Sequence, residues 1–143
     1  MKRILMMLVV LAVLTGAAFG TGLWKDGTYT AQDDAFSHGW KNMVRIVVVD
    51  GYIVEAQFDA IPEGGGKYKY LSSVQGEYGM VENGGAQSEW YVQADLAVIE
   101  LLKAQNPATL TRSASRVDAI SGVSITIMPH FELAAEALDG ARR

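Results

Sequence analysis

The chain has 143 residues, half of them apolar, with 12 basic residues against 16 acidic ones and no cysteine. That length supports one domain with a real hydrophobic core and is short for two. An acidic balance without a basic patch sets nucleic-acid binding aside, and the missing thiol excludes both a disulfide framework and lipidation on cysteine.

Residues 1–22 read as a secretory signal. Lys2 and Arg3 precede an apolar run over 4–13, and small residues follow in Thr15-Gly16-Ala17-Ala18-Phe19-Gly20. The uninterrupted run is short for a span of about 20 residues. Cleavage after Gly20 or after Gly22 meets the small-residue requirement. An uncleaved anchor, with the run extended to Phe19, is the alternative and would tether the domain to a membrane. Removing two of the 12 basic residues with this segment leaves ten against 16 acidic ones, a formal charge of −6. Residues 23–143 are then the folded domain, exported to the periplasm, the cell surface or the medium.

Asp26-Gly27 marks a turn, and the β-favouring segment behind it, through Thr30, predicts a first strand. Residues 33–41 are polar with interspersed aromatics and read as a connection. Residues 43–49 are rich in β-branched side chains, Asp50-Gly51 makes a turn, and residues 52–58 return as a second strand. Ile46, Val48, Ile53 and Phe58 are the candidates for the core. The valine-rich arm suggests a central strand covered on both faces. Residues 61–67, with three consecutive glycines, read as a loop without the spacing of a phosphate-binding P-loop. Lys67, Tyr68, Lys69, Tyr70 and Tyr78 form either a solvated edge or a surface for a planar anionic ligand.

Residues 87–105 predict a helix with Tyr91, Ala94, Val98, Leu101 and Leu102 on its apolar side and Gln93, Asp95, Glu100 and Lys103 on the other. Ser88 is the candidate cap and Asn106-Pro107 the stop. Trp90 is expected in the core. A polar connection over 108–117 carries Arg112 and Arg116, and a second helix is predicted from Ser124 to Leu138. His38 and His130 show no metal-ligand spacing and are expected to make surface or helix-end hydrogen bonds, and no acid–base or nucleophilic constellation stands out.

Between the polar connection and that helix lies Asp118-Ala119-Ile120-Ser121-Gly122-Val123-Ser124-Ile125-Thr126. Small residues, a glycine and three hydroxyls at a helix start suit an anion-receiving turn. The plainer reading is a helix cap by Ser121 or Ser124. The stretch resembles the flavin-attachment motif of the FMN-binding domain family, in which Asp118, Ser121 and Gly122 match and Ser124 takes the place of the hydroxyl that a flavin transferase joins to FMN. Val123 stands where the family has alanine. The phrases Asp26-Gly27-Thr28-Tyr29, Gly39-Trp40 and Gly66-Lys67-Tyr68-Lys69 are also similar to that family.

The resemblance implies a single α+β domain, an antiparallel or mixed sheet packed by two main helices. Asp118, Ser121, Gly122, Val123, Ser124 and Thr126 would form the cofactor site. The function it implies is an FMN-bearing electron carrier outside the cytoplasm rather than an independent enzyme. Its partners would be a flavin transferase with its magnesium ion and membrane or surface redox proteins. Two alternatives stay open, a module that binds FMN or another ligand reversibly and a secreted interaction domain without flavin.

Overall fold

The sheet is organised around the Asp50-Gly51 turn. Both residues have positive φ, 53° and 83°, the left-handed pair that a two-residue turn between right-twisted strands requires. A Cβ on Gly51 would also come within 2.7 Å of the Gly22 backbone. The turn joins β2 (Trp40–Val49) to β3 (Tyr52–Pro62), and β1 (Gly27–Gln32) pairs along the other side of β2. Among the described residues the sheet has the order β1-β2-β3 and is wholly antiparallel. The computed structural model describes residues 22–113 and 120–143, so the signal-like segment up to residue 21, Arg116 and Asp118 lie outside the described residues.

Ile46, Val48, Ile53 and Phe58 are all buried, as their pattern predicts, and Val44 and Ala60 join them. Val48 pairs with Ile53 but Val47 with Glu55. Val54 is therefore an extra residue without a partner across the pair, a β-bulge, and it is 53% exposed. The expected cover on both faces of β2 is not found. Val49 is 46% exposed, and on the same face Arg45 pairs with Glu55. The valines suit a pleated central strand, where one covered face is sufficient reason for them.

β3 also runs further than the sequence suggests, through Ile61 and Pro62 into the segment read as loop. Proline is tolerated there because it ends a strand at the edge of the sheet, where a missing N–H breaks no interior ladder.

Among the described residues five helices follow: α1 (Lys69–Val74), α2 (Met80–Gly84), α3 (Trp90–Ala104), α4 (Pro107–Ser113) and α5 (Met128–Ala137). The two long ones, α3 and α5, match the two main helices expected. α1 and α2 are too short to show a helical period. α4 replaces part of the expected polar connection. Pro107 ends α3 and starts α4, since its absent N–H would be unpaired at a first helical position anyway, and Thr109 N–H bonds the Asn106 carbonyl at 3.1 Å.

The N-cap of α3 is Glu89, not Ser88. The Glu89 carboxylate accepts from the N–H groups of Met80 and Val81 and so ties α2 to the start of α3. At the far end Gln105, with φ 58°, accepts from Ile53 N–H at 2.7 Å and donates back to the Ile53 carbonyl at 2.9 Å. α5 packs on β1 and β2 and α3 on β3. Their buried residues, Ala94, Ala97 and Leu101 from α3 and Phe131, Leu133 and Ala134 from α5, form one core with the sheet. The result is a small single-domain α+β fold.

Candidate functional site

The connection leading into α5 carries the sequence motif, and its geometry differs from a simple helix start. α5 begins at Met128 with Ile127 as N-cap and no side-chain cap, so neither Ser121 nor Ser124 caps it. Pro129 lies in its first turn, where it is tolerated but presents no N–H. Ser124 sits before the helix, not in it. Nor are the motif's N–H groups all free, as an anion-receiving turn would need. Val123 N–H bonds the Ile120 carbonyl at 3.1 Å, while Ser124 and Ile125 N–H both donate to Gln93 Oε1, at 2.7 and 3.0 Å.

Gln93 is the residue that the helical pattern misplaces. It was expected on the polar side of α3, yet it is 1% exposed. Its amide nitrogen donates to the Ser88 carbonyl at 3.0 Å, and its oxygen also accepts the Ser124 hydroxyl at 3.2 Å. A polar side chain is stable at such a position because both ends are hydrogen-bonded. Gln93 thus fixes the motif loop against α3.

The loop separates two cavities. The larger, about 690 Å³, is bordered by Ser124, Ile125, Thr126, Pro129 and His130 from this segment. Ser37, His38, Trp40 and Asn42 border it from β2 and the connection before it, and Lys69, Tyr78, Met80 and Trp90 from the helical side. The smaller, about 420 Å³, has Gly122, Val123 and Ser124 opposite Gly85, Gln87 and Ser88. Of the motif residues, Ser124 and Thr126 therefore share the larger cavity. Gly122 and Val123 do not reach it, and Ser121 is an exposed turn residue bordering neither. Gly122 has φ 84° and Leu96 close to where a Cβ would stand, which restricts the position to glycine. Val123 is buried in the core, so its methyls are turned away from the larger cavity.

Aromatic rings from three separate elements wall the larger cavity. Trp40 and Tyr78 meet edge to face at 5.7 Å, and Trp90 enters from the first turn of α3. Lys69 Nζ lies over all three rings, 5.1 Å from Trp40, 4.5 Å from Tyr78 and 5.5 Å from Trp90. Its sequence neighbours do other things. Lys67 pairs with Glu77, Tyr68 is exposed, and the Tyr70 hydroxyl donates to Asp95 at 3.0 Å. Of the lysine–tyrosine phrase, only Lys69 reaches the cavity.

His130 forms part of the cavity wall, and the structure corrects its expected surface role: it is 2% exposed, packed between Phe58 and Trp90 at 5.3 and 6.0 Å. Its Nε2 lies 3.0 Å from the Asp59 carbonyl. A carbonyl only accepts, so Nε2 carries the proton in the neutral ring and Nδ1 is left as a buried acceptor without a partner among the described residues. Burial holds the His130 pKa below its ordinary value, with the Asp59 carbonyl bond opposing. The Asp59 carboxylate accepts from the N–H groups of Ala60 and Tyr70, and burial pushes its pKa up.

A pH dependence of stability follows from His130. Below the unfolded-state value near 6.5 the unfolded chain binds a proton that the folded chain refuses. The contribution is therefore complete above that pH and lost as pH falls toward the depressed folded value. Urea denaturation at pH 7.5 and 5.5 should show lower stability at 5.5, with a slope of at most about 1.4 kcal/mol per pH unit for one proton. A His130→Gln variant should flatten that slope. An equal slope in the variant would assign it to other groups.

No family model matches the sequence, and no curated protein matches it. Two solved structures do. A Clostridium perfringens protein, known from a crystal structure, has 23% identity and a TM-score of 0.63 over 83% of this chain and 89% of that one, which speaks for the shared fold. A Clostridium thermocellum protein, known from a solution NMR structure, has 40% identity and a TM-score of 0.57 over 81% of this chain and 91% of that one. With that identity over nearly the whole relative, the chain belongs to the family of the Clostridium thermocellum protein.

Proposed function

We propose that the protein is an exported FMN carrier of the FMN-binding-domain kind, with the flavin phosphate esterified at Ser124 and the ring in the larger cavity. The observation that carries the reading is the hydroxyl of Ser124, an exposed residue at the edge of an aromatic-walled cavity that also holds one lysine. Its volume of about 690 Å³ lies within the roughly 300–1,000 Å³ of small-molecule sites. The donor set suits FMN: hydroxyls of Ser37, Ser124 and Thr126 for the phosphate end, apolar rings for the isoalloxazine, and a cation for negative charge.

When bound, FMN supplies the electron-accepting chemistry, and the protein's task is to hold and tune it. Gln93 keeps Ser124 at the cavity edge through two backbone bonds that survive esterification of the hydroxyl. Trp40, Tyr78 and Trp90 restrict water on one side, and His130 stays neutral beneath. A covalent link retains the cofactor outside the cell. The partners are a flavin transferase and membrane or surface redox proteins. Among the described residues no helix is long and apolar enough to cross a membrane.

Intact mass is the test. Mature protein co-produced with a flavin transferase in an exported form should, after denaturation, carry one added FMN moiety. Ser124→Ala should lose it and Thr126→Ala should keep it. An unmodified mass from a preparation that is yellow before denaturation moves the reading to reversible binding. Colourless, unmodified protein, under conditions where a known target is modified, ends the flavin reading.

A further inference from the structure

We propose that Lys69 sets the reduction potential of the bound flavin, an inference that rests on the FMN reading. Every other lysine with a polar partner in the described residues reaches a carboxylate or a carbonyl: Lys67 with Glu77, Lys103 with Glu100, Lys25 with the Gly140 carbonyl. Lys69 takes part in no ion pair among the described residues. Instead its ammonium is held over the faces of Trp40, Tyr78 and Trp90. A cation can be stabilised by ring quadrupoles in this way, but its charge is not neutralised by them.

Two ionisable groups nearby leave that charge standing. Asp59 feels it, yet the Asp59 carboxylate is occupied by Ala60 N–H, Tyr70 N–H and the Gln57 amide. His130, which also lines the cavity, is kept neutral by burial. Lys69 is thus a fixed positive charge in a cavity with aromatic walls, where screening by water and salt is weaker than on the surface. Such a charge favours whichever form of a ligand is more negative.

Under the proposed function that form is the reduced one. Uptake of two electrons from a redox partner and one proton from solvent leaves the flavin ring one charge more negative than before. Esterification places the phosphate at Ser124, so the ring is the part left to meet the aromatic wall and Lys69. The ammonium lowers the energy of the reduced form relative to the oxidised one and raises the potential. Lys69 acts through charge, so arginine should replace it and a neutral side chain of similar length should not.

The experiment is a redox titration of flavin-loaded wild type, Lys69→Met and Lys69→Arg, with loading established by intact mass and folding by circular dichroism. Methionine keeps an apolar stem against the rings; Lys69→Gln serves in its place should Lys69→Met fail to fold. The expected result is a preference for the reduced form at least tenfold weaker in the neutral variant, a potential lower by about 30 mV for a two-electron couple, with recovery in Lys69→Arg. A loaded, folded neutral variant whose potential equals that of wild type overturns the role of Lys69 and leaves the FMN reading intact. Wild type that acquires no flavin mass and no bound colour overturns the FMN reading itself, and this inference with it.

Discussion

Gln93→Leu should destabilise the fold by about 2–4 kcal/mol, because it removes the acceptor of two backbone N–H groups and leaves the Ser88 carbonyl without its donor. A buried group left unsatisfied costs about 1–3 kcal/mol. The upper end of the sum is not reached, since Ser124 is exposed and water can replace part of what is lost. Leucine fits the site by volume, so the loss reports hydrogen bonds more than a cavity. Gln93→Glu keeps the acceptor but sets a buried carboxyl against the Ser88 carbonyl, and should lose stability as pH rises and that group is driven to ionise. Urea denaturation with unchanged m-values tests both. A leucine variant within about 0.5 kcal/mol of wild type, the range of ordinary surface changes, would mean that Gln93 does not hold the loop. In flavin-loading experiments the same leucine variant should acquire less FMN, because Ser124 is no longer fixed at the cavity edge.

Phe58→Ala should cost about 3–5 kcal/mol, the range for removing a buried aromatic ring. Phe58 joins the sheet to α5 through two contacts, stacked on His130 at 5.3 Å and edge to face with Phe131 at 5.5 Å. A domain of this size has a total stability of roughly 5–15 kcal/mol. The variant therefore sits near the limit of folding, and Phe58→Leu should cost markedly less. Val54→Ala, at the exposed bulge, is the contrasting change and should stay within about 0.5 kcal/mol. Equal losses at the two positions would contradict the placement of the core on one face of the sheet.

Much of the sheet was legible because its signals are local. Asp50-Gly51 specifies its turn by backbone sterics, and the β-branched runs on either side pair without help from distant residues. Ile46, Val48, Ile53 and Phe58 are buried for the reason their pattern suggests. The bulge at Val54 was not legible, since an extra residue shows only against a partner strand. The pattern of α3 placed its C-terminal end well, and its start and its faces less well. Gln93 is buried because the motif loop comes to it from 31 positions away, and no helical period contains that information. His130 was misjudged for the same reason: a histidine near a helix start looks exposed until Phe58 and Trp90 are packed against it.

The candidate site divides in the same way. Ser124 and Thr126 could be singled out from a short motif, because hydroxyls beside glycine before a helix carry a recognisable chemistry. Lys69 could be named only as one of several lysines and tyrosines in a polar run. Its selection from that run depends on Trp40, Tyr78 and Trp90 arriving from three different elements.

By itself, then, the sequence determined the acidic single domain, the hairpin, the two long helices and the hydroxyl residues ahead of the second of them, all of which follow from composition and from interactions within a few residues. The tertiary structure alone decided that two of the motif's N–H groups turn to Gln93, that Val123 packs inward, and that one lysine borders Ser124's cavity. Those outcomes depend on contacts between residues far apart in the chain, and their energies exist only once the chain has folded.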